Sequence, residues 1–442
     1  MTVPPPADLV DRLVRGAVAS RLDRSYALRA LRPLAGEITA LRERLRVAGI
    51  TRVLAVTTGA TGAAAEALAG GNPRLVVLDG PDPVRLADAL AGDLDATVLV
   101  VAVPPGSDRA GVDLLIAAVG RAFIDGGVDA AAHTVVVGAP PVAGGAPPVA
   151  GGATVVAAPS GLPSAVDAYA LVPAGLAGAD PLAAVVDADL PTLGADSPGN
   201  PAVQLAALLA GAPVVTLAGP GPVEWVAARI SGLGGPLPVV VEGPGAPGWP
   251  GPLAAGIGAD LDGARVTTHG TPAAQLALWE RAVALAAHLT PPSTPTVAAP
   301  LEPRFVDDDV TAEAGEWLPD CVDTVAGALR ALLTPDDEPV TLLAHLDRET
   351  DASVAVLRPE LARRTGRPVA FGWAPRWRPG AGPGPVCVLS GGPTDDELGE
   401  RLRADARDTA AALAGHGRRV LHLHLTDRLT GLVTVVRAAA DL

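Results

Sequence analysis

Lysine is absent from all 442 residues, so every one of the 33 residues counted as Lys plus Arg is arginine. An ammonium can be desolvated into a proton donor or an imine former, whereas a guanidinium stays charged, so any mechanism that needs a lysine is excluded. Aromatic residues are nearly as scarce at 2%, although 49% of the chain is hydrophobic. The core must therefore be built from Ala, Val and Leu, with no aromatic-rich groove. Cys321 and Cys387 are the only thiols, too few for a disulfide framework and wrongly spaced for a zinc site, which points to a cytoplasmic protein. Positive charge is in deficit: the net charge is −15 and the pI near 4.9. Nucleic acid and anionic membrane surfaces are thereby excluded as partners. No apolar run reaches the length of a membrane-spanning helix, and Met1 to Asp8 lacks the apolar stretch of a signal peptide.

What is present is an alternation of strand-like and helix-like segments, long enough for two or three folding units. Leu9 to Val47 carries apolar residues at helical spacing and reads as two amphipathic helices. Arg52 to Val56 reads as a buried strand, Thr57 to Gly62 as a turn of small residues, and Ala63 to Leu68 as the start of a helix. The unit repeats at Arg74 to Asp79 with Pro83 to Leu90, and at Thr97 to Val103 with Arg109 to Ile124. Three successive units predict a parallel, doubly wound sheet. A fourth strand at His133 to Val137 precedes Gly138 to Ala153, where GAPPVAG occurs twice in tandem and reads as an expanded surface loop. A strand at Thr154 to Ala157 and a helix at Ser164 to Leu171 complete the first unit. A second unit follows, with helices at Ala202 to Leu209, Val223 to Ile230 and Pro272 to Leu289, and strands at Pro213 to Leu217 and Leu237 to Glu242. Pro291 to Pro303 has linker composition. Strands at Val340 to His345, Pro368 to Trp373, Val386 to Ser390 and Arg419 to Leu425 then form a third lobe.

Four segments carry a family likeness: LRPELARRTGRPVAFGWAPRW (Leu357 to Trp377), LPVVVEGPGAPGW (Leu237 to Trp249), ALVPAGLAGAD (Ala170 to Asp180) and RRVLHLHLTD (Arg418 to Asp427). In order and content they resemble the glucose-6-phosphate isomerase family in its actinobacterial form, over about Leu41 to the C-terminus. The resemblance implies an α/β fold with two flavodoxin-like sugar-isomerase (SIS) domains, their parallel sheets in three-layer αβα sandwiches, plus a C-terminal α/β lobe. The expected divisions are residues 1–50 as N-terminal helices, 51–190 and 191–300 as the two SIS domains, 301–320 as a linker, and 321–442 as the lobe. The implied reaction converts glucose 6-phosphate to fructose 6-phosphate. It needs a carboxylate to carry a proton between C2 and C1, an arginine for the enediolate and a cradle for the phosphate. No cofactor and no metal are expected.

The family's first phosphate turn, Gly-Met-Gly-Gly-Ser-Ser, matches Thr57 to Gly62, and the second, Ser-Lys-Ser-Gly-Ser-Thr, matches Val103 to Asp108. These place Thr58, Gly59, Thr61, Gly106 and Ser107 as sugar-phosphate contacts, with Ser164 from the Gly-Gly-Arg-Tyr-Ser match at Ser160 to Ser164. The chain departs from the pattern at each chemical position. Pro104 and Pro105 remove N–H donors, and Asp108 sets a carboxylate against the phosphate. The arginine position holds Leu162 and the base position holds Ala227. Glu224, three residues earlier on the same helix, is the remaining carboxylate candidate for catalysis. His422 and His424 alternate in a strand and share a face, but without a third ligand they read as a structural pair. His269 and Asp307 to Asp309 read as surface. The expectation is a catalytically impaired isomerase scaffold that binds a sugar phosphate weakly, forms a homodimer or docks on a related metabolic enzyme. The alternative is an active isomerase using non-standard residues.

Overall fold

The computed structural model describes residues 8, 10–14, 21–138, 152–159, 165–189, 197–289, 297–334, 338–377, 380, 382–392 and 395–442. The duplicated GAPPVAG segment from residue 139 onward and residues 160–164 lie outside them. The architecture is α/β with three sheets. In the first, strands β1 (Arg52–Val56), β2 (Leu75–Leu78), β3 (Thr97–Val101), β4 (Thr134–Val137) and β5 (Thr154–Val156) run parallel in the order β2-β1-β3-β4-β5. That is a flavodoxin-like winding, in which the connections after β1 and β3 leave in opposite directions. Both faces are buried. Val53 and Ala55 join one apolar cluster while Leu54 and Val56 join another, which is the period of two that a sheet between helical layers requires. Helices α1 (Arg21–Val47), α2 (Gly59–Ala69), α3 (Pro83–Leu90), α4 (Ala110–Asp125), α5 (Ala168–Ala177) and α6 (Pro181–Asp189) belong to this part of the chain.

The expected helix at Ser164 to Leu171 begins instead at Ala168, where the Asp167 carboxylate accepts from the Ala170 N–H at 3.0 Å and caps the first turn. Past α7 (Pro201–Ala210), the second sheet has strands β6 (Val214–Ala218), β7 (Leu237–Val240), β8 (Leu253–Ile257) and β9 (Val266–Thr268), all parallel in the order β7-β6-β8-β9. Two further helices, α8 (Val223–Ser231) and α9 (Pro272–Ala286), pack with it. Strands β8 and β9 were not expected. Leu253-Ala254-Ala255-Gly256-Ile257 is poor in β-branched residues because the strand is buried at every position, and at Gly256 a Cβ would lie 2.5 Å from the Ala259 carbonyl oxygen.

Residues 301–320 do not form a linker. They carry strands β10 (Glu302–Asp307) and β11 (Val310–Ala314), an antiparallel hairpin that adds to the third sheet. With β12 (Val340–His345), β13 (Val369–Trp373), β14 (Val386–Gly391) and β15 (Val420–Leu425) the order is β10-β11-β15-β14-β12-β13. The last four strands are parallel and wound like the other two sheets. The third lobe also holds helices α10 (Val325–Leu333), α11 (Leu357–Thr365), α12 (Glu397–Gly415) and α13 (Arg428–Ala440). Hairpin formation follows from Asp308, which takes φ +49 at the turn, a conformation an Asp side chain tolerates.

The cores are shared between units. One continuous cluster runs from Val53 and Val98 of the first sheet through α5, α7 and α9 to Val215 and Leu217 of the second. The opposite face of the second sheet, Val214, Leu237 and Val239, packs with Leu343, Val386 and Val388 of the third. Among the described residues, no helix is long and apolar enough to cross a membrane.

Candidate functional site

In a doubly wound sheet a crevice opens at the carboxyl ends of the strands where the connections diverge. Here that point lies between β1 and β3. The Thr57 hydroxyl, fully buried, donates to the Ala102 carbonyl at 2.6 Å and ties the two strand ends together. A cleft of ≈ 370 Å³ opens just beyond, lined by Thr58 to Ala60, Asp79 to Pro81, Gly106 to Asp108, Pro375, Arg376 and Asp405 among others. Four of the six residues expected to touch a sugar phosphate, Thr58, Gly59, Gly106 and Ser107, therefore converge on one cleft. Thr61, one step into α2, is not among the lining residues, and Ser164 lies outside the described residues.

Local chemistry explains the loops. Pro104-Pro105-Gly106-Ser107 is a turn in which Gly106 takes φ +81 and the Ser107 N–H donates to the Pro104 carbonyl at 3.3 Å. Pro at the second position and a left-handed Gly at the third is the pattern such a turn demands. It also commits the Ser107 N–H to the turn itself. Gly59, the first residue of α2, is required by close approach: a Cβ there would sit 2.8 Å from the Pro375 carbonyl oxygen. The third lobe thus presses a backbone carbonyl against the start of α2, where the phosphate cradle was expected.

The charge pattern opposes an anion. Asp79, Asp108 and Asp405 line the cleft, and Arg376 is the only cation among the described lining residues. Every nitrogen of that guanidinium is occupied. Its Nε donates to Asp79 Oδ2 at 2.5 Å, Nη1 to Glu66 Oε2 at 2.6 Å and Nη2 to Glu66 Oε1 at 3.0 Å. Burial works against the Arg376 charge, yet the neighbouring Asp79, Glu66 and Glu224 raise its pKa well above the ordinary value. Burial likewise pushes the Glu66 carboxyl up, but hydrogen bonds and charges from Arg376 and Arg348 hold it at about 2. Asp405 is raised, chiefly by burial, although Arg401 pairs with it at 2.5 Å.

This arrangement has a pH signature. A carboxyl whose folded pKa is depressed stabilises the fold fully above its unfolded pKa and loses that stabilisation as pH falls toward the folded value. For Glu66 the window runs from its ordinary 4.5 down to about 2. Across that window it withdraws about 3 kcal/mol. Urea unfolding at a series of pH values should show stability dropping below pH about 4.5, and Glu66→Gln should flatten that drop; an unaltered slope in the variant would show that Glu66 is not its source.

Glu224, the carboxylate candidate for catalysis, does not line this cleft. From the first turn of α8 it faces two neighbouring clefts, of ≈ 530 Å³ and ≈ 300 Å³, the second shared with Ala227 and Arg376. Ala228 is the α8 residue that reaches the main cleft. Arg376 lines both the main cleft and the smaller one that it shares with Glu224. The sequence reading missed Arg376, Glu66 and Asp79 as a group. One signal was available: Glu66 is the only charged residue in the helix GATGAAAEALA, and a lone carboxylate on a helix of Gly and Ala has to find a partner.

No protein-family model matches the chain, and no curated protein matches it by sequence. Solved structures do. A glucose-6-phosphate isomerase from Chlamydia trachomatis is 15% identical with TM-score 0.44, over 58% of this chain and 68% of that one. A hypothetical protein from Thermus thermophilus is 17% identical with TM-score 0.47, over 98% of this chain and 87% of that one. The C-terminal domain of a glucosamine-fructose-6-phosphate aminotransferase from Francisella tularensis is 9% identical with TM-score 0.34, over 60% and 95%. At such identities the likeness is one of fold and says nothing about the chemistry of the cleft.

Proposed function

We propose that this chain is a phosphosugar-isomerase scaffold that has given up turnover and acts by binding, either of a sugar phosphate held weakly in the cleft or of a metabolic enzyme partner. The observation that carries the reading is Arg376. A guanidinium aimed at a phosphate or an enediolate turns its charge and donors on that anion, and this one gives three of its five N–H groups to Glu66 and Asp79, whose carboxylates already offset its charge. Around it the cleft presents three carboxylates, which repel a dianion. The sequence resemblance to the glucose-6-phosphate isomerase family supplies the ligand class, and the residues at the family's base and arginine positions, Ala227 and Leu162, supply the reason for lost chemistry. Loss of a positioned base alone removes roughly 10²–10⁴-fold in rate.

The test is turnover of glucose 6-phosphate by the purified protein, paired with calorimetric titration of fructose 6-phosphate. The expected result is weak heat of binding without detectable fructose 6-phosphate formation. Robust turnover would overturn the reading. Heat and turnover both absent would leave the enzyme-partner role as the surviving half of the proposal. A second reading, isomerisation with Glu224 as base, is favoured by the cleft that Glu224 shares with Arg376. It requires that any turnover seen vanish in Glu224→Gln.

A further inference from the structure

The main cleft has walls from all three units. Thr58 to Ala60, Asp79 to Pro81 and Gly106 to Asp108 belong to the first, Ala228 and Gly232 to the second, and Pro375, Arg376 and Asp405 to the third lobe. The cleft exists only while the lobe is docked, so what holds the lobe decides whether there is a site.

The lobe is attached in two chemically different ways. Toward the second unit it is mainly apolar: Leu343, Ala370, Trp377, Val386 and Val388 share a core with Val214, Leu237 and Val239, beside a single ion pair among the described residues, Arg358 with the exposed Glu242 at 2.8 Å. Toward the first unit it is ionic. Arg376 binds Glu66 and Asp79, and Arg348 binds Glu66. Arg428 meets Asp82 at 3.0 Å, Arg401 meets Asp108 at 3.2 Å, and Arg85 of the first unit meets Glu349 at 2.6 Å. The Thr350 hydroxyl donates to Asp88 at 3.3 Å. Of the lobe's apolar side chains, Leu398 alone among the described residues joins a core cluster of the first unit. Apolar burial is lost only when water enters, whereas an ion pair returned to water recovers its solvation, so a seam of ion pairs opens at far smaller net cost than a core of equal area.

We propose that this ionic seam is a gate: the third lobe swings off the first unit by releasing Arg376 from Glu66 and Asp79, while its apolar attachment to the second sheet persists as the hinge side. The proposal concerns access to the cleft described above and rests on that cleft being the binding site only for its functional consequence. Charge bookkeeping at the latch favours reversibility. Glu66 and Asp79 face Arg376 and Arg348, so the docked cluster is neutral, and separation gives each unit a like-charged pair that water must solvate. Docking is thereby favoured at rest, and an incoming charged ligand or rising ionic strength shifts the balance.

The gate is tested by distance measurement between spin labels on exposed positions of the two units, Arg121→Cys on α4 and Glu400→Cys on α12, in a Cys321→Ser background. Cys387 can stay, because burial pushes its thiol up to about 12 and leaves it unreactive to the label. The parent in dilute buffer should give one distance. In about 1 M sodium chloride, where the screening length falls to about 3 Å, a longer second component should appear. In the triple variant Glu66→Gln, Asp79→Asn, Arg376→Met, which removes the latch and leaves only the part-exposed Arg348 without its carboxylate, the longer component should dominate. A single unchanged distance in both the salt-treated parent and the folded triple variant overturns the gate. Should the triple variant not fold, the salt series on the parent decides alone. Failure to bind fructose 6-phosphate leaves these distances untouched, so the gate and the ligand reading fail separately.

Discussion

Replacing Arg376 alone with methionine should lower the unfolding free energy by about 3–5 kcal/mol, the usual loss when one partner of a buried ion pair is removed. The side chain is 6% exposed and sits between two carboxylates. Methionine has the length to fill the space but offers no donors, so Glu66 and Asp79 are left facing each other across a desolvated gap. Their mutual repulsion and lost solvation make up the effect, not the strength of the original bonds. The control is the triple variant in which Glu66 and Asp79 are also neutralised. It should recover most of the loss, since a buried ionic cluster and a neutral one of similar shape are often close in stability. Urea denaturation of parent, single and triple variants gives the comparison. A single variant as stable as the parent would mean that water reaches the carboxylates, and the ionic latch would then be a surface feature.

Glu313→Leu should destabilise by a similar amount, about 3–5 kcal/mol, for a different reason. Glu313 is 1% exposed on β11. Its Oε2 lies 2.9 Å from His422 Nδ1, and Arg407 grips the same carboxylate. His422 Nε2 lies 2.8 Å from the Ser390 hydroxyl, which is also 2.9 Å from His424 Nδ1. Burial would raise the Glu313 carboxyl, yet its bonds to His422 and Arg407 hold it at about 2. His424 goes the other way, pushed down to about 4 by burial and the nearby Arg403 and His422 charges. Leucine on β11 would remove the acceptor for both an imidazole and a guanidinium. Ser390→Ala should lose less, about 1–3 kcal/mol, because it removes one hydroxyl from two imidazoles and leaves the Glu313 bonds to His422 and Arg407 in place. If the two variants lose equally, Glu313 is not the charged centre of the network. The order carboxylate, imidazole, hydroxyl matches that of a hydrolytic triad, but Ser390 is fully buried within the sheet, so no substrate reaches its hydroxyl. His422 and His424 share one face of the sheet, as their alternation implies, and both reach the Ser390 hydroxyl.

Periodicity made much of the scaffold legible. Val340 to His345 was read to the residue, and the alternation of strand and helix from Arg52 to Ile124 led directly to a parallel sheet, because strands buried on both faces leave runs such as TVLVV. What escaped were elements whose residues answer to neighbours rather than to local preference. Strand β8 is small and apolar because it is enclosed, and β10 reads as a polar, Pro-containing connector because it is an edge strand with one face in water. Gly106 and Ser107 were singled out by the resemblance to a phosphate loop; that Pro-Pro-Gly-Ser closes a turn on itself is a local rule that the sequence also carried and that only the structure brought out.

Composition, then, settled one exclusion by itself: with no lysine anywhere, no rearrangement of the chain can supply an ammonium side chain. Which charges meet was decided only by packing. Arg376 lies 310 residues from Glu66 and 297 from Asp79, and nothing in the spacing of either segment binds them to each other. Coulomb attraction acts on separation in space, and that separation is set by three sheets sharing their apolar cores, not by distance along the chain.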